Sequence, residues 1–164
     1  MELGLTGKRV LVVGASLGIG REIARAFAAE GGVITAVARN QVELSSLVEE
    51  FGGDEAGHSW IAKDLMVDGA PVSLAEELLG MGGPFDVVVH AVGGSVIPTA
   101  DGVIDVRDPT APVEDWFKFL KFNAGIAIEM NHVLIPPMVK QGWGRVIHVS
   151  SISGVMLRGA PPYA

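Results

Sequence analysis

Val10-Leu11-Val12-Val13-Gly14-Ala15-Ser16-Leu17-Gly18-Ile19-Gly20, running on into Arg21-Glu22-Ile23-Ala24-Arg25-Ala26-Phe27, puts a strand-length apolar run, a glycine turn and a helical segment in direct succession. Each glycine has a mechanical reason to be there. A turn without Cβ atoms lets backbone amides approach a pyrophosphate, and the N-terminus of the following helix adds partial positive charge at the same point. A glycine triad alone is a weak signal; the strand before it and the helix after it supply the context that gives it meaning.

The same alternation repeats outward from this unit. Apolar runs at 8–13, 33–38, 58–62, 85–91 and 144–149 are separated by amphipathic segments. This predicts an α/β fold, a Rossmann-type doubly wound parallel sheet, as written truncated after its fifth strand and forming one domain over 1–164. Ile19, Ile23 and Phe27 share a helical face, and Asn40 caps a second helix with Glu43 three residues on. A third helix is expected over 72–80. Residues 113–140 read as one long helix with Pro112 near its first turn, closing around Pro136-Pro137. Trp116, Leu120, Ala124, Ala127 and Met130 are spaced along one of its sides, and its apolar content predicts burial against both the sheet and a partner subunit. The stretch from Gly93 to Ala111 reads as an irregular, functional loop.

Composition narrows the function classes. The 164 residues are 49% hydrophobic and 19% charged, with 22 glycines, which suits one globular domain with a sizeable core. The net charge of −7 and the scatter of the twelve Lys and Arg residues argue against nonspecific binding to nucleic acid or to an anionic membrane. There is no cysteine, so disulfide and thiol chemistry are excluded. The N-terminal residues lack the basic region of a secretory signal, and no apolar stretch reaches the roughly 18 to 20 residues of a membrane span, so a soluble cytoplasmic protein is expected. His58, His90, His132 and His148 lack zinc-ligand spacing, and Asp101, Asp105 and Asp108 lack the calcium-loop pattern, so no metal is predicted.

The series Gly14-xxx-Gly18-x-Gly20, Asp64 after the third strand, Ala91-Val92-Gly93 after the fourth, Asn123, Ser151 after the fifth and Tyr163 resembles the short-chain dehydrogenase/reductase family across the whole chain. The resemblance implies that Gly14, Ser16, Leu17, Gly18, Ile19 and Gly20 wrap a cofactor pyrophosphate. It also implies that Asp64 and Leu65 border the adenine, and that Ala91, Val92 and Gly93 pass the nicotinamide-side ribose. Family members usually carry Asn-Asn-Ala-Gly where this chain has His90-Ala91-Val92-Gly93, so the amides that brace the sheet there are expected to be missing. Where NAD-preferring relatives place an acid at the end of the second strand, this chain has Ala38 followed by Arg39 and Asn40. A guanidinium can grip a 2′-phosphate, with a charge-assisted contact worth about 1.5 to 3 kcal/mol. NADP(H) is therefore the expected cofactor, with NAD(H) as the alternative.

The resemblance further implies hydride transfer between nicotinamide and a carbonyl or secondary alcohol, with Tyr163 as proton donor, Ser151 holding the substrate oxygen and Asn123 holding a relay water. Ser150 is the neighbouring candidate for the serine role. Tyr163 is the sole tyrosine, and a phenol with pKa near 10 needs about 4 kcal/mol of differential stabilisation to ionise at neutral pH. In the family much of that comes from a lysine four residues after the tyrosine. That position would be 167, and the sequence as written stops at Ala164. The polypeptide as given is thus expected to be inactive and to expose the strand at 145–149 as an edge prone to pairing. Activity like that of 3-oxoacyl-[acyl-carrier-protein] reductase, on a small-molecule carbonyl and in a homodimer or homotetramer, is the expectation for the parent protein. A noncatalytic dinucleotide-binding module or sensor is the competing one.

Overall fold

The computed structural model describes residues 3–99, 102–105 and 110–152. In chain order the elements are β1 (Arg9–Val13), α1 (Gly18–Ala29), β2 (Val33–Ala38), α2 (Gln41–Glu49), β3 (Ser59–Ala62), α3 (Ala70–Gly82), β4 (Val87–His90), β5 (Val96–Thr99), β6 (Gly102–Asp105), α4 (Val113–Leu120), α5 (Ile126–Gln141) and β7 (Arg145–His148). Five strands form one parallel sheet in the order β3-β2-β1-β4-β7. The chain runs outward from β1 in one direction and then crosses to β4 on the other side, so the direction of winding reverses between β1 and β4. Ligands of such sheets bind outside the carboxyl ends of the strands at this reversal.

Alternate residues of the central strands feed two separate cores, as a strand buried on both faces requires. Val10, Val12, Ile34 and Ala36 pack with Ala24 of α1 and Leu44 and Leu47 of α2. Leu11, Val13 and Val88 pack on the other face with Leu74 and Leu78 of α3 and Met130 and Leu134 of α5. Val10 to Val13 are all fully buried, each contributing about 1.5 to 3 kcal/mol of hydrophobic stabilisation.

Several expectations are corrected. The 93–111 stretch is not wholly irregular, because β5 and β6 pair as an antiparallel hairpin in which Ile97 is buried. Ile19 does not join the buried face of α1: it is 64% exposed, and the helix is buried instead at Gly20, Arg21 and Ala24. A Cβ on Gly20 would lie 2.2 Å from the Gly14 carbonyl oxygen, so the helix is rotated to put its glycine, and not its isoleucine, against the turn.

The long helix is also not uniform. Between α4 and α5 the residues Lys121–Gly125 form a π-helical turn. The extra residue of such a turn shifts helical phase by about 100°, which disconnects an apolar stripe before it from one after it. Leu120 and Ala124 are accordingly exposed, and the buried row on α5 is Ile126, Met130, Leu134 and Met138. Nor does the helix close at Pro136-Pro137; it continues to Gln141 and ends at Gly142, whose φ of +77° suits a glycine stop. Leu134 and Met138, buried on either side of the prolines, hold the helix past them.

Candidate functional site

The strand reversal opens into a cleft of about 550 Å³, whose wall is supplied by the carboxyl ends of β1 to β4 and by the π-helical turn. Gly14 is its closest backbone approach. Its φ is +93°, and a Cβ there would sit 2.8 Å from the carbonyl carbon and oxygen of Ala91. Only glycine leaves β1 and β4 this close. The turn is anchored behind by Gly14 N–H and Ala15 N–H donating to the Val37 carbonyl at 2.7 and 3.1 Å. Gly18, with φ of +56°, has nothing within 4 Å of its notional Cβ, so the front of the turn faces open space. A diphosphate fits this arrangement: the turn is pressed flat behind by glycine contacts and left clear in front at the N-terminus of α1.

Most of the residues expected to bind cofactor line the same cleft: Gly14, Ser16, Leu17, Arg39, Asn40, Asp64, Leu65, Ala91, Val92 and Gly93. Gly18, Ile19 and Gly20 form the first turn of α1 beside it. Asn40 caps α2 through Oδ1, which accepts from Val42 N–H at 3.1 Å and Glu43 N–H at 3.3 Å. Asp64 Oδ1 accepts from Met66 N–H at 2.9 Å and so fixes the turn after β3. Arg39 Nη1 donates to the Pro98 carbonyl of the hairpin at 3.3 Å. The cleft also includes Lys63, Met66, Phe122 and Ile126, which the sequence reading did not single out. Lys63 was legible as a cation one residue before Asp64. Phe122 and Ile126 were hidden by the phase shift of the π-helical turn.

Arg21 was likewise missed. It is buried, and Nη1 donates to the Ser16 carbonyl at 3.3 Å, the Glu43 carbonyl at 2.9 Å and Glu43 Oε2 at 3.1 Å, while Nη2 reaches Glu50 Oε1 at 2.5 Å. One guanidinium thereby ties the glycine turn to α2. Hydrogen bonds from Arg25 and Arg21 hold the Glu50 carboxyl down at about 2. The signal was Arg21 directly after the last glycine, with Glu43 and Glu50 seven residues apart on one helical side.

On the other side of the reversal, the expected loss of bracing amides is made good by imidazoles. His90 ends β4 opposite His148 of β7, and their rings stack at 5.0 Å with 15° between planes. Asn131 of α5 links them, its Oδ1 2.9 Å from His90 Nε2 and its Nδ2 3.2 Å from His148 Nε2. With the Asn131 amide in this orientation, Oδ1 accepts from His90 Nε2–H and Nδ2 donates to His148 Nε2. Burial lowers the His90 pKa, with a further push from His148, against the raising effect of the Asn131 hydrogen bond. His90 Nδ1 is buried without a partner among the described residues.

Asn123 lies within the π-helical turn, and its amide is engaged on both atoms. Oδ1 accepts from Gly94 N–H at 2.8 Å, and Nδ2 donates to the carbonyls of Gly94 and Phe119 at 3.0 Å each. It holds the segment that follows Ala91-Val92-Gly93. Ser151 lies three residues beyond β7 and is exposed, as is Ser150. Tyr163 lies outside the described residues.

A parallel sheet in this order, with a glycine turn pressed into the cleft at its reversal point, is a nucleotide-binding fold of the Rossmann type. The chain belongs to the short chain dehydrogenase family, which it matches over residues 8–164. It is similar to L-xylulose reductase of Mesocricetus auratus, 31% identical over 92% of this chain and 56% of that protein. Among solved structures it resembles L-sorbose reductase from Gluconobacter frateurii complexed with NADPH and L-sorbose, with 29% identity and a TM-score of 0.77, covering 94% of this chain and 56% of the other. It also resembles a 3-oxoacyl (acyl-carrier-protein) reductase from Agrobacterium tumefaciens with NADP bound, with 26% identity and a TM-score of 0.78, covering 96% and 57%. The chain spans about half the length of the curated relatives it matches.

Proposed function

We propose that residues 1–164 are the NAD(P)-binding domain of an oxidoreductase that interconverts a small-molecule carbonyl and a secondary alcohol, with NADP(H) preferred. The observation that carries this reading is the cleft itself, where the Gly14 turn, the Arg39-Asn40 loop, Asp64-Leu65 and Ala91 to Gly93 converge at the strand reversal. When bound there, a nicotinamide cofactor would supply the hydride. Amides of the Ser16 to Gly20 turn would bind its diphosphate, and Arg39 its 2′-phosphate. Ser151 would hold the substrate oxygen and Tyr163 would hold the proton. Asn123 would hold the relay water, while its amide also braces Gly94.

The relatives support the reaction class, since they include reductases of L-xylulose and L-sorbose. A homodimer or homotetramer formed through α4 and α5 is the proposed assembly. Phe117, Leu120, Ile128 and Val139, each more than half exposed on these helices, support it. A cytoplasmic location is proposed as well; among the described residues no helix is long and apolar enough to cross a membrane.

Titration with NADPH and NADH, followed by cofactor oxidation against a panel of ketones, tests the proposal. Saturable binding with NADPH tighter by about 10-fold or more is expected. Binding without oxidation by the full-length protein would favour a noncatalytic sensor, and equal affinities would overturn the assigned role of Arg39.

A further inference from the structure

We infer that Lys63 is a second cation for the cofactor's 2′-phosphate and a determinant of NADP(H) over NAD(H), acting beside Arg39. This rests on the dinucleotide reading above. β2 and β3 are in parallel register with Ala38 opposite Ala62, and the ladder continues through Lys63 N–H donating to the Ala38 carbonyl at 2.8 Å. The next residues along are therefore Arg39 and Lys63, side by side at the carboxyl ends of neighbouring strands. Both line the cleft, and among the described residues they are the only basic ones that do.

Among the described residues their charges are not spent on acids. Ion pairs among the described residues engage Lys8, Arg21, Arg25, Lys118 and Lys121, whereas neither Arg39 nor Lys63 meets a carboxylate. The nearest acid in sequence, Asp64, already accepts from Met66 N–H. Arg39 has the Pro98 carbonyl as a partner, which a phosphate would have to displace, while the half-buried Lys63 has no such partner to give up. In a chain of net charge −7, two adjacent cations thus stand at one rim of the cleft with no carboxylate partner among the described residues. A phosphate monoester at that rim, carrying close to two negative charges, matches both; a bare ribose hydroxyl matches neither.

The test is titration of the protein, Lys63→Met and Lys63→Arg with NADPH, NADH, 2′,5′-ADP and 5′-AMP, with melting curves alongside. Lys63→Met is expected to weaken NADPH and 2′,5′-ADP by about 10-fold while NADH and 5′-AMP stay within about twofold. Lys63→Arg is expected to keep the preference. If Lys63→Met folds poorly, Lys63→Gln, which keeps a polar side chain, carries the same expectation. Unchanged NADPH affinity, or equal weakening of NADPH and NADH, overturns the inference. Failure of the unaltered protein to bind either dinucleotide overturns instead the reading on which it rests.

Discussion

The two halves of the sheet are built on different principles. Around β1 and β2 the contacts are backbone against backbone: Gly14 lies on Ala91, Gly20 lies on Gly14, and the strand interior is fully buried. Around β4 and β7 the strand ends are joined by polar side chains, His90 through Asn131 to His148, and Ile147 of β7 is 41% exposed. At the glycine turn the close approaches depend on side chains being absent, with the Arg21 guanidinium tying the turn to α2. The half leading to Ser151 is fixed by which side chains are present, and among them His90 titrates below its ordinary value.

The comparison breaks most sharply at Gly20. Gly20→Ala is expected to cost on the order of 3 kcal/mol of stability and to abolish dinucleotide binding, because its Cβ would lie 2.2 Å from the Gly14 carbonyl oxygen. Gly18→Ala has open space and only a left-handed φ to overcome, so about 1 kcal/mol is expected. Denaturant unfolding of both variants checks this, and similar losses would mean that close packing is not what fixes the turn.

A smaller effect sharpens the other half. The folded-state pKa of His90 lies below its ordinary value of 6.5, so as pH falls the unfolded chain takes up that proton first. Stability should therefore decline as pH drops below about 6.5, and His90→Asn, which restores the amide usual in the family, should flatten that limb. Melting temperatures measured from pH 8 to pH 5 decide it; a limb that persists in His90→Asn would assign the titration to another group.

This contrast also explains how much the sequence disclosed. All five parallel strands, a helix after the glycine turn, a second capped by Asn40 and a third, expected over 72–80 and found over 70–82, follow from periodicity and local chemistry, which a strand, a turn and a helix carry within a few residues. The π-helical turn at 121–125 left no such mark, so the stripe from Trp116 to Met130 was projected through a phase shift that sequence spacing does not record. The Arg21 network left only a faint trace in the sequence and the His90 network none. Their partners lie 22 to 41 residues away, at Glu43, Glu50 and Asn131, and only the fold brings them together.

The most direct test of the account is a map of backbone amide shifts on addition of NADPH. Changes concentrated at the Ser16 to Gly20 turn, at Arg39-Asn40 and at Ala91 to Gly93, saturating together, are the predicted result. Saturable shifts confined to other surfaces, with the glycine turn unmoved, would contradict it.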